Sequence, residues 1–258
     1  MSTKLFNSII VGPIRSRRLG TSLGINLLPQ NSKWCNYECV YCECGWRTPL
    51  PAPLALPSCQ EVQEQLEQKL QALQAAHTLP DVITFSGNGE PTMHPQFAEI
   101  MGQVLRLRNQ YAPNTRVCVL TNATLIGKPE VREALQKTDI TMLKLDAGNE
   151  AMLQTINQPQ MPTSIEKLLS DMQHFGSRLV IQTMFLRGTI DGKPVDNTQS
   201  DEVETWLHCI ERLHPIEVVL YTLDRETPAE HLEKINLATL ESIAQRVRAL
   251  GIIAKTYE

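Results

Sequence analysis

The chain has 258 residues, of which 42% are hydrophobic and 20% charged, enough apolar material for a sizeable folded core. Its 24 Lys and Arg against 28 Asp and Glu give a formal net charge of −4, so strong nonspecific binding to nucleic acid is not expected. No apolar run approaches the roughly 20 residues that a membrane helix needs, and the first residues lack the layout of a signal peptide. Composition therefore predicts a cytoplasmic globular protein with no membrane partner.

Short β-branched runs alternate with helical periodicity from residue 58 onward, a pattern typical of repeated βα units. Six units are fewer than the eight of a closed barrel, so we predict an α/β fold with a partial (β/α)6 TIM-like barrel and an active site at the carboxyl ends of its strands. The predicted strands are residues 23–27, 81–86, 116–121, 140–145, 179–185 and 216–221, with a further candidate at 252–256.

One domain spanning residues 1–258 is the simplest organisation that this pattern predicts. It comprises an N-terminal extension (1–22), the barrel core (23–222) and a C-terminal helix with the candidate extra strand (223–258). Capping-box patterns predict where two of the helices begin, Ser58 with Glu61 and Thr163 with Glu166. Asn236 is the predicted cap of the last helix.

Three of the seven cysteines, Cys35, Cys39 and Cys42, form a C-x3-C-x2-C pattern in the loop after the first predicted strand. In a reducing compartment, clustered cysteines indicate metal ligands before disulfides. Three clustered thiolates suit a soft metal centre and leave one position of a cubane iron–sulfur cluster open to a ligand from outside the protein. The alternative is a closed zinc or iron–sulfur site with Cys44 as the fourth ligand.

The cysteine pattern, with the aromatic Tyr41 before its last cysteine, resembles the signature of the radical S-adenosylmethionine (radical SAM) superfamily. The turn after the second predicted strand resembles the superfamily's Gly-Gly-Glu segment. It contains Gly87, Asn88, Gly89 and Glu90. Glycines there let the backbone approach a ligand, and the resemblance implies that Glu90 meets the amino group of SAM.

Polar residues also end other predicted strands, on the side where the barrel mouth is expected. Asn122 follows the third strand, Asp146 the fourth, and Tyr221 ends the sixth. The resemblance implies that Asn122 and Asp146 lie near the ribose and methionine of SAM or near the substrate. It also implies that Tyr41 and the strand end at Tyr221 hold the adenine. A helix cap or turn is the alternative for a polar strand end.

A narrower resemblance, to the wyosine-synthase-like branch of radical SAM proteins, comes from residues 12–26, 144–148 and 221–225. The first of these segments holds the one basic cluster of note, which consists of Arg15, Arg17 and Arg18. Arginines bind phosphate or carboxylate through paired hydrogen bonds, so this cluster is a candidate site for an anionic substrate group. A solvated or ion-paired surface turn is the alternative.

The resemblance implies an oxidoreductase whose cofactors are a 4Fe-4S cluster, held by the three clustered cysteines, and SAM. Reductive cleavage of SAM would give a 5′-deoxyadenosyl radical that abstracts hydrogen from a substrate. It also implies a flavodoxin- or ferredoxin-type reductant as a partner. The substrate, small molecule or macromolecule, is not identified. The alternatives are a tRNA-modifying wyosine-synthase-like enzyme and a non-catalytic iron–sulfur or zinc protein with Cys44 as fourth ligand.

Overall fold

The computed structural model describes residues 5–49 and 55–258, and its strands form one mixed sheet. The strands are β1 (Ile10–Ser16), β2 (Gly20–Ile25), β3 (Val82–Phe85), β4 (Arg116–Thr121), β5 (Ile140–Lys144), β6 (Val180–Ile190), β7 (Lys193–Asp196), β8 (Glu217–Thr222), β9 (Leu232–Lys234) and β10 (Ile253–Tyr257). The helices are α1 (Cys59–Ala75), α2 (Phe97–Tyr111), α3 (Pro129–Leu135), α4 (Glu150–Ile156), α5 (Ile165–Met172), α6 (Ser200–Leu213) and α7 (Leu237–Ala249).

The parallel strands follow one another in the order β2-β3-β4-β5-β6-β8-β10, and β1 pairs antiparallel with β2. At least one helix lies between each consecutive pair of parallel strands, because a parallel connection must return the chain to the same end of the sheet. β1 and β10 form the two edges, so the barrel is not closed. The predicted α/β class and partial barrel are confirmed. No helix within the described ranges has both the length and the hydropathy to cross a membrane.

The sheet begins earlier than the sequence predicts. β1 and the first residues of β2 fall within residues 1–22, which were expected to precede the barrel; of these, residues 1–4 lie outside the described part. Pro13 and Arg15 are residue types common on edge strands, and they weaken the strand pattern. The short strands β7 and β9, which pair with the carboxyl end of β6, were also not predicted from the sequence. The candidate strand at 252–256 is confirmed as β10.

Local capping chemistry explains where the helices begin. The predicted capping box of α1 is present: Glu61 N donates to Ser58 Oγ at 3.2 Å, and Ser58 N donates to Glu61 Oε2 at 2.7 Å. Asn236 caps α7 as predicted. The cap of α5 is Ser164 and not Thr163, whose hydroxyl donates to a carbonyl two residues earlier.

Candidate active site

The three clustered cysteines lie within residues 26–49, termed the cysteine loop, which follow β2 at its carboxyl end. Backbone hydrogen bonds attach this loop to its neighbours on several sides. Trp34 N donates to Asn88 O at 2.8 Å, and Val40 N donates to Ile156 O at 2.9 Å. Val40 O also accepts from Ala229 N at 3.1 Å. The loop is therefore anchored to the turn after β3, the end of α4 and the segment after β8.

An ion-pair network that is buried at Lys33 and reaches the surface at Arg47 connects distant parts of the cysteine loop. The Lys33 side chain is only 1% exposed, and its Nζ donates to Glu38 Oε1 at 3.0 Å and to Gly45 O at 2.8 Å. Glu38 also accepts from Arg47, from N at 2.9 Å and from Nε at 2.7 Å. Burial lowers the pKa of Lys33, but the charges of Cys42 and Glu38 outweigh burial and raise it. The network joins residues before, between and after the cysteines, so it fixes the shape of the loop.

Two of the cysteine thiols receive hydrogen bonds from asparagine side chains. Asn122 Nδ2 lies 3.7 Å from Cys35 Sγ, and Asn157 Nδ2 lies 3.4 Å from Cys39 Sγ. Burial raises the pKa of both thiols, that of Cys39 to about 11. Amide donors at sulfur stabilise negative charge there, and such hydrogen bonds tune the potential of iron–sulfur clusters.

Cys44 lies against the third clustered cysteine. Its thiol lies within hydrogen-bonding distance of both the Cys42 thiol and Gly87 O, the latter at 3.5 Å, and its single proton serves one of the two at a time. The hydrogen bond from Cys44, followed by the nearby Lys33 ammonium, lowers the pKa of Cys42 to about 6 despite burial. The same contact raises the pKa of Cys44. Cys44 is thus within reach of the site, and its role as a fourth ligand stays an alternative.

The donor set fits an iron–sulfur cluster. Thiolates are the usual ligands of such clusters, and all three clustered thiols have hydrogen-bonding partners. Within residues 5–49 and 55–258, two buried polar atoms, Tyr37 Oη and Asn157 Oδ1, have no hydrogen-bond partner, and both belong to residues beside Cys39. Buried polar atoms of this kind call for a further ligand or water. Within the described residues, no three His, Cys, Asp or Glu side chains converge as a single metal ion would require.

The two glycines after β3 allow close approach between protein segments. A Cβ on Gly87 would lie 2.2 Å from Asn26 Oδ1, and a Cβ on Gly89 would lie 1.9 Å from Trp34 O. Gly89 also has a φ of +143°, which side chains rarely adopt. The sequence predicted that these glycines admit a ligand, whereas the structure shows protein atoms at the positions their Cβ atoms would approach.

Asn88, predicted to contact SAM, is used by the protein itself. Its Oδ1 accepts from Phe6 N at 2.8 Å, and its Nδ2 donates to Phe6 O and Pro29 O, each at 2.8 Å. The residue is fully buried, and these bonds occupy its one carbonyl and both of its N–H groups. Asn88 therefore ties the N-terminal segment to the turn after β3, and its contact with SAM stays a prediction.

The Glu90 carboxylate is surrounded by protein donors. Oε1 accepts from Thr92 N at 3.1 Å and from the hydroxyls of Thr92 and Thr121, and Oε2 accepts from Asn122 N at 2.7 Å. Burial raises the pKa of Glu90 against the lowering effect of these bonds. The carboxylate thus joins the turn after β3 to the end of β4. Its contact with the amino group of SAM stays a prediction.

Tyr41 and Asp146, both predicted to contact SAM, meet in one buried network. The Tyr41 hydroxyl donates to Asp146 Oδ2, which also accepts from Asn157 Nδ2 at 2.7 Å. Lys144 Nζ donates to Tyr41 Oη, lies 3.4 Å from Asp146 Oδ2 and sits 5.0 Å from the Tyr41 ring centre. Burial raises the pKa of Tyr41. Burial lowers the pKa of Lys144, but Asp146 outweighs it and the net shift is upward. Through Asn157 the network reaches Cys39.

The three arginines at the turn between β1 and β2 differ in burial and in partners. Arg15 is exposed, and Arg17 Nη2 lies 3.4 Å from Asp224 Oδ2 at the surface. Arg18 is half-buried and turns toward β6 and β8: its Nη1 donates to Gln182 Oε1 at 2.9 Å, and its guanidinium lies 4.5 Å over the Tyr221 ring. The three side chains thus have different surroundings, and a joint anion site formed by them stays a prediction.

Sequence reasoning missed three polar residues of this region as site residues, Lys33, Lys144 and Asn157. Lys144 stands at a predicted strand end, so its position was visible. Lys33 and Asn157 lie in a loop and at the end of the short α4, where no periodic pattern marks them. Only their contacts in the folded structure, with Glu38 for Lys33 and with Cys39 and Asp146 for Asn157, identify them as site residues.

The fold and the cysteine site agree with the comparisons to known proteins. The sequence model of the radical SAM superfamily matches residues 32–199, so the chain belongs to the radical SAM superfamily. It is 32% identical over 227 residues to UPF0026 protein slr1464 of Synechocystis sp., covering 86% of this chain and 77% of that one, and it shares the UPF0026 family with this relative. It is also 29% identical over 239 residues to a protein named GTPase Obg of Brachyspira hyodysenteriae; this covers 93% of the chain but only 33% of that relative's length.

Solved structures show the same fold at low sequence identity. A radical SAM methyltransferase from Sphaerobacter thermophilus superposes with a TM-score of 0.67 at 18% identity, covering 92% of this chain and 65% of that chain. TYW1 with a lysine-pyruvate adduct bound superposes with a TM-score of 0.63 at 15% identity, covering 90% of this chain and 74% of that chain. These likenesses establish the architecture.

Proposed function

We propose that this enzyme binds a 4Fe-4S cluster through Cys35, Cys39 and Cys42 and cleaves SAM reductively. One observation carries the proposal: the three thiols lie on an anchored loop at the carboxyl end of a parallel sheet, and each has a hydrogen-bonding partner. When bound, the cluster and SAM together supply a 5′-deoxyadenosyl radical for hydrogen abstraction from the substrate. The proposal covers the cluster and the cleavage of SAM, and it does not extend to the net reaction on the substrate.

The chain's own residues provide position, charge and shielding. Lys33 places a buried positive charge beside the cysteines, where it offsets negative charge on thiolates. Asn122 and Asn157 direct amide hydrogens at two of the sulfurs. Glu90 is expected to accept from the amino group of SAM, and Tyr41 and Tyr221 are expected to border its adenine. An external one-electron donor of the flavodoxin or ferredoxin type completes the proposal.

Anoxic reconstitution with iron and sulfide tests this function directly. We expect about four irons per chain and, with SAM and dithionite, formation of 5′-deoxyadenosine. Cys35→Ser should lose both, whereas Cys59→Ala at the start of α1 is the matched control and should retain both. Binding of a single zinc with SAM left intact would refute the proposal.

The contact between Cys44 and Cys42 favours one second candidate, a non-catalytic site closed by four cysteines. Cys44→Ser separates the two functions. Iron content should stay unchanged in this variant if the cluster has three protein ligands, and it should fall sharply if Cys44 is the fourth. The tRNA-modifying alternative has no comparable support, because Arg17 is paired with Asp224 and Arg18 turns toward β6 and β8.

A further inference from the structure

Arg18 is a half-buried cation that pairs with no acidic side chain in the described part of the chain. Its side chain contacts Gln182 and Tyr221, which are 4% and 9% exposed, and both of these partners are uncharged side chains. Among the described residues, no carboxylate forms an ion pair with it, although its neighbour Arg17 does pair with Asp224. A guanidinium that loses part of its hydration is usually compensated by a carboxylate or phosphate. Arg18 therefore lacks the counter-charge that its setting calls for.

The second cation of this region is already compensated. Lys144 lies 3.4 Å from Asp146 and hydrogen-bonds to Tyr41, and it is close enough to Tyr221 for the two groups to interact electrostatically. Tyr221 thus contacts Arg18 and interacts with Lys144, and among the described residues Asp146 is the one carboxylate paired with either cation, namely with Lys144. The positive charge of Arg18 is therefore not neutralised by a carboxylate within the described residues.

The surroundings of Arg18 also hold its guanidinium in place. The Tyr221 ring covers it at 4.5 Å, and Gln182 Oε1 accepts one of its five N–H groups at 2.9 Å. A guanidinium fixed in this way has lost conformational freedom before a ligand arrives, so less is lost when a ligand binds. Its remaining N–H groups form the planar fork that matches two oxygens of a carboxylate or phosphate.

We propose that Arg18 binds an oxyanion, carboxylate or phosphate, of the enzyme's substrate, against β6 and β8. Arg15 and Arg17 take no part. This inference rests on the proposed function, since it assumes that the molecule bound there is the substrate of the radical SAM reaction. SAM itself carries a carboxylate, so the experiment must separate the two sources of the same chemistry.

Calorimetric titration of the anoxically reconstituted, SAM-loaded protein tests the proposal, with inorganic phosphate and succinate as separate probes. We expect saturable binding of at least one probe. Arg18→Gln should weaken it roughly 10- to 100-fold, because a hydrogen bond to a charged group contributes about 1.5–3 kcal/mol. Arg18→Lys keeps the charge but lacks the planar pair of N–H donors, so its probe affinity should lie between those of the unaltered protein and Arg18→Gln. Arg15→Gln, at an exposed position, should bind as the unaltered protein does.

Four results would overturn the assignment. The first is no saturable binding of either probe, and the second is equal binding by Arg18→Gln and Arg15→Gln. The third is weaker SAM binding by Arg18→Gln without any probe, which would make the carboxylate of SAM the ligand. The fourth is full probe affinity in Arg18→Lys, since charge alone would then suffice. Unfolding temperature and iron content verify that each variant is folded. If Arg18→Gln is unstable, Arg18→Lys is compared with Arg15→Gln in its place.

If the protein holds no cluster, the proposed function fails, while titration of the cluster-free protein still tests the binding of an anion by Arg18.

Discussion

Replacing Gly89 with alanine tests how the cysteine loop is anchored. The new Cβ would lie 1.9 Å from Trp34 O and 3.1 Å from Cys35 N, and backbone atoms cannot swing aside as a flexible side chain can. The two segments must therefore separate by about 1.5 Å to reach ordinary contact distance. That separation breaks two hydrogen bonds, Trp34 N to Asn88 O at 2.8 Å and Glu90 N to Trp34 O at 3.2 Å.

The expected loss in free energy of unfolding follows from these two hydrogen bonds and from the backbone φ angle of residue 89. Each hydrogen bond contributes about 1 kcal/mol, and a side chain at a φ of +143° adds strain of about 1–3 kcal/mol, so unfolding should become easier by about 3–5 kcal/mol. Anoxic urea unfolding of the cluster-free protein measures this, and iron per chain after reconstitution should also fall. Gly102→Ala is the control, since Gly102 is exposed in α2 with open space around it and should gain up to about 1 kcal/mol. Equal stability and equal iron content in the two variants would refute the anchoring role.

Three further changes test other contacts. Lys33→Met should destabilise the protein by about 3 kcal/mol in urea unfolding, because it breaks a buried ion pair, and an unchanged midpoint would contradict the network. Asn157→Leu should lower the reduction potential of the reconstituted cluster, because Cys39 Sγ loses a hydrogen bond; a potential titration followed by electron paramagnetic resonance that shows no decrease would count against it. Ser58→Ala should cost about 1 kcal/mol, and its effect should shrink as pH falls. The Ser58 backbone N–H lowers the pKa of Glu61, and the Ser58 hydroxyl, which alanine lacks, lowers it further. The stabilisation from the hydroxyl is present above the unfolded pKa of Glu61 and disappears as the pH falls through the folded pKa.

The parts of the site carried by local sequence were predictable. The cysteine spacing, the capping box at Ser58 and the buried parallel strands each depend on residues a few positions apart, so pattern and chemistry coincide in one segment. The open barrel followed from the number of such segments. Membership of the radical SAM superfamily therefore needed no tertiary information.

The roles that depend on distant partners were not predictable. Asn88 stands in a glycine-rich turn that resembles a ligand-binding segment, yet its bonds run to Phe6, 82 residues earlier. The Arg18 side chain meets Gln182, 164 residues later, while Arg17 beside it reaches the surface. A contiguous basic run carries no signal that separates these outcomes, since side-chain direction in a turn is set by what the turn packs against.

The turn between β1 and β2 is held by one exposed ion pair and by two contacts that are less exposed to solvent, and these differ in strength. Arg17 and Asp224 pair at 3.4 Å, but their side chains are 39% and 37% exposed, and such a surface pair contributes at most about 1 kcal/mol. The ladder between β1 and β2 and the contact of Arg18 with Tyr221 are less solvent-screened. Asp224→Asn should therefore change urea unfolding by less than about 1 kcal/mol and leave phosphate or succinate binding unaltered. A loss of probe affinity in Asp224→Asn as large as that in Arg18→Gln would show instead that the surface pair positions the turn, and Arg18 with it.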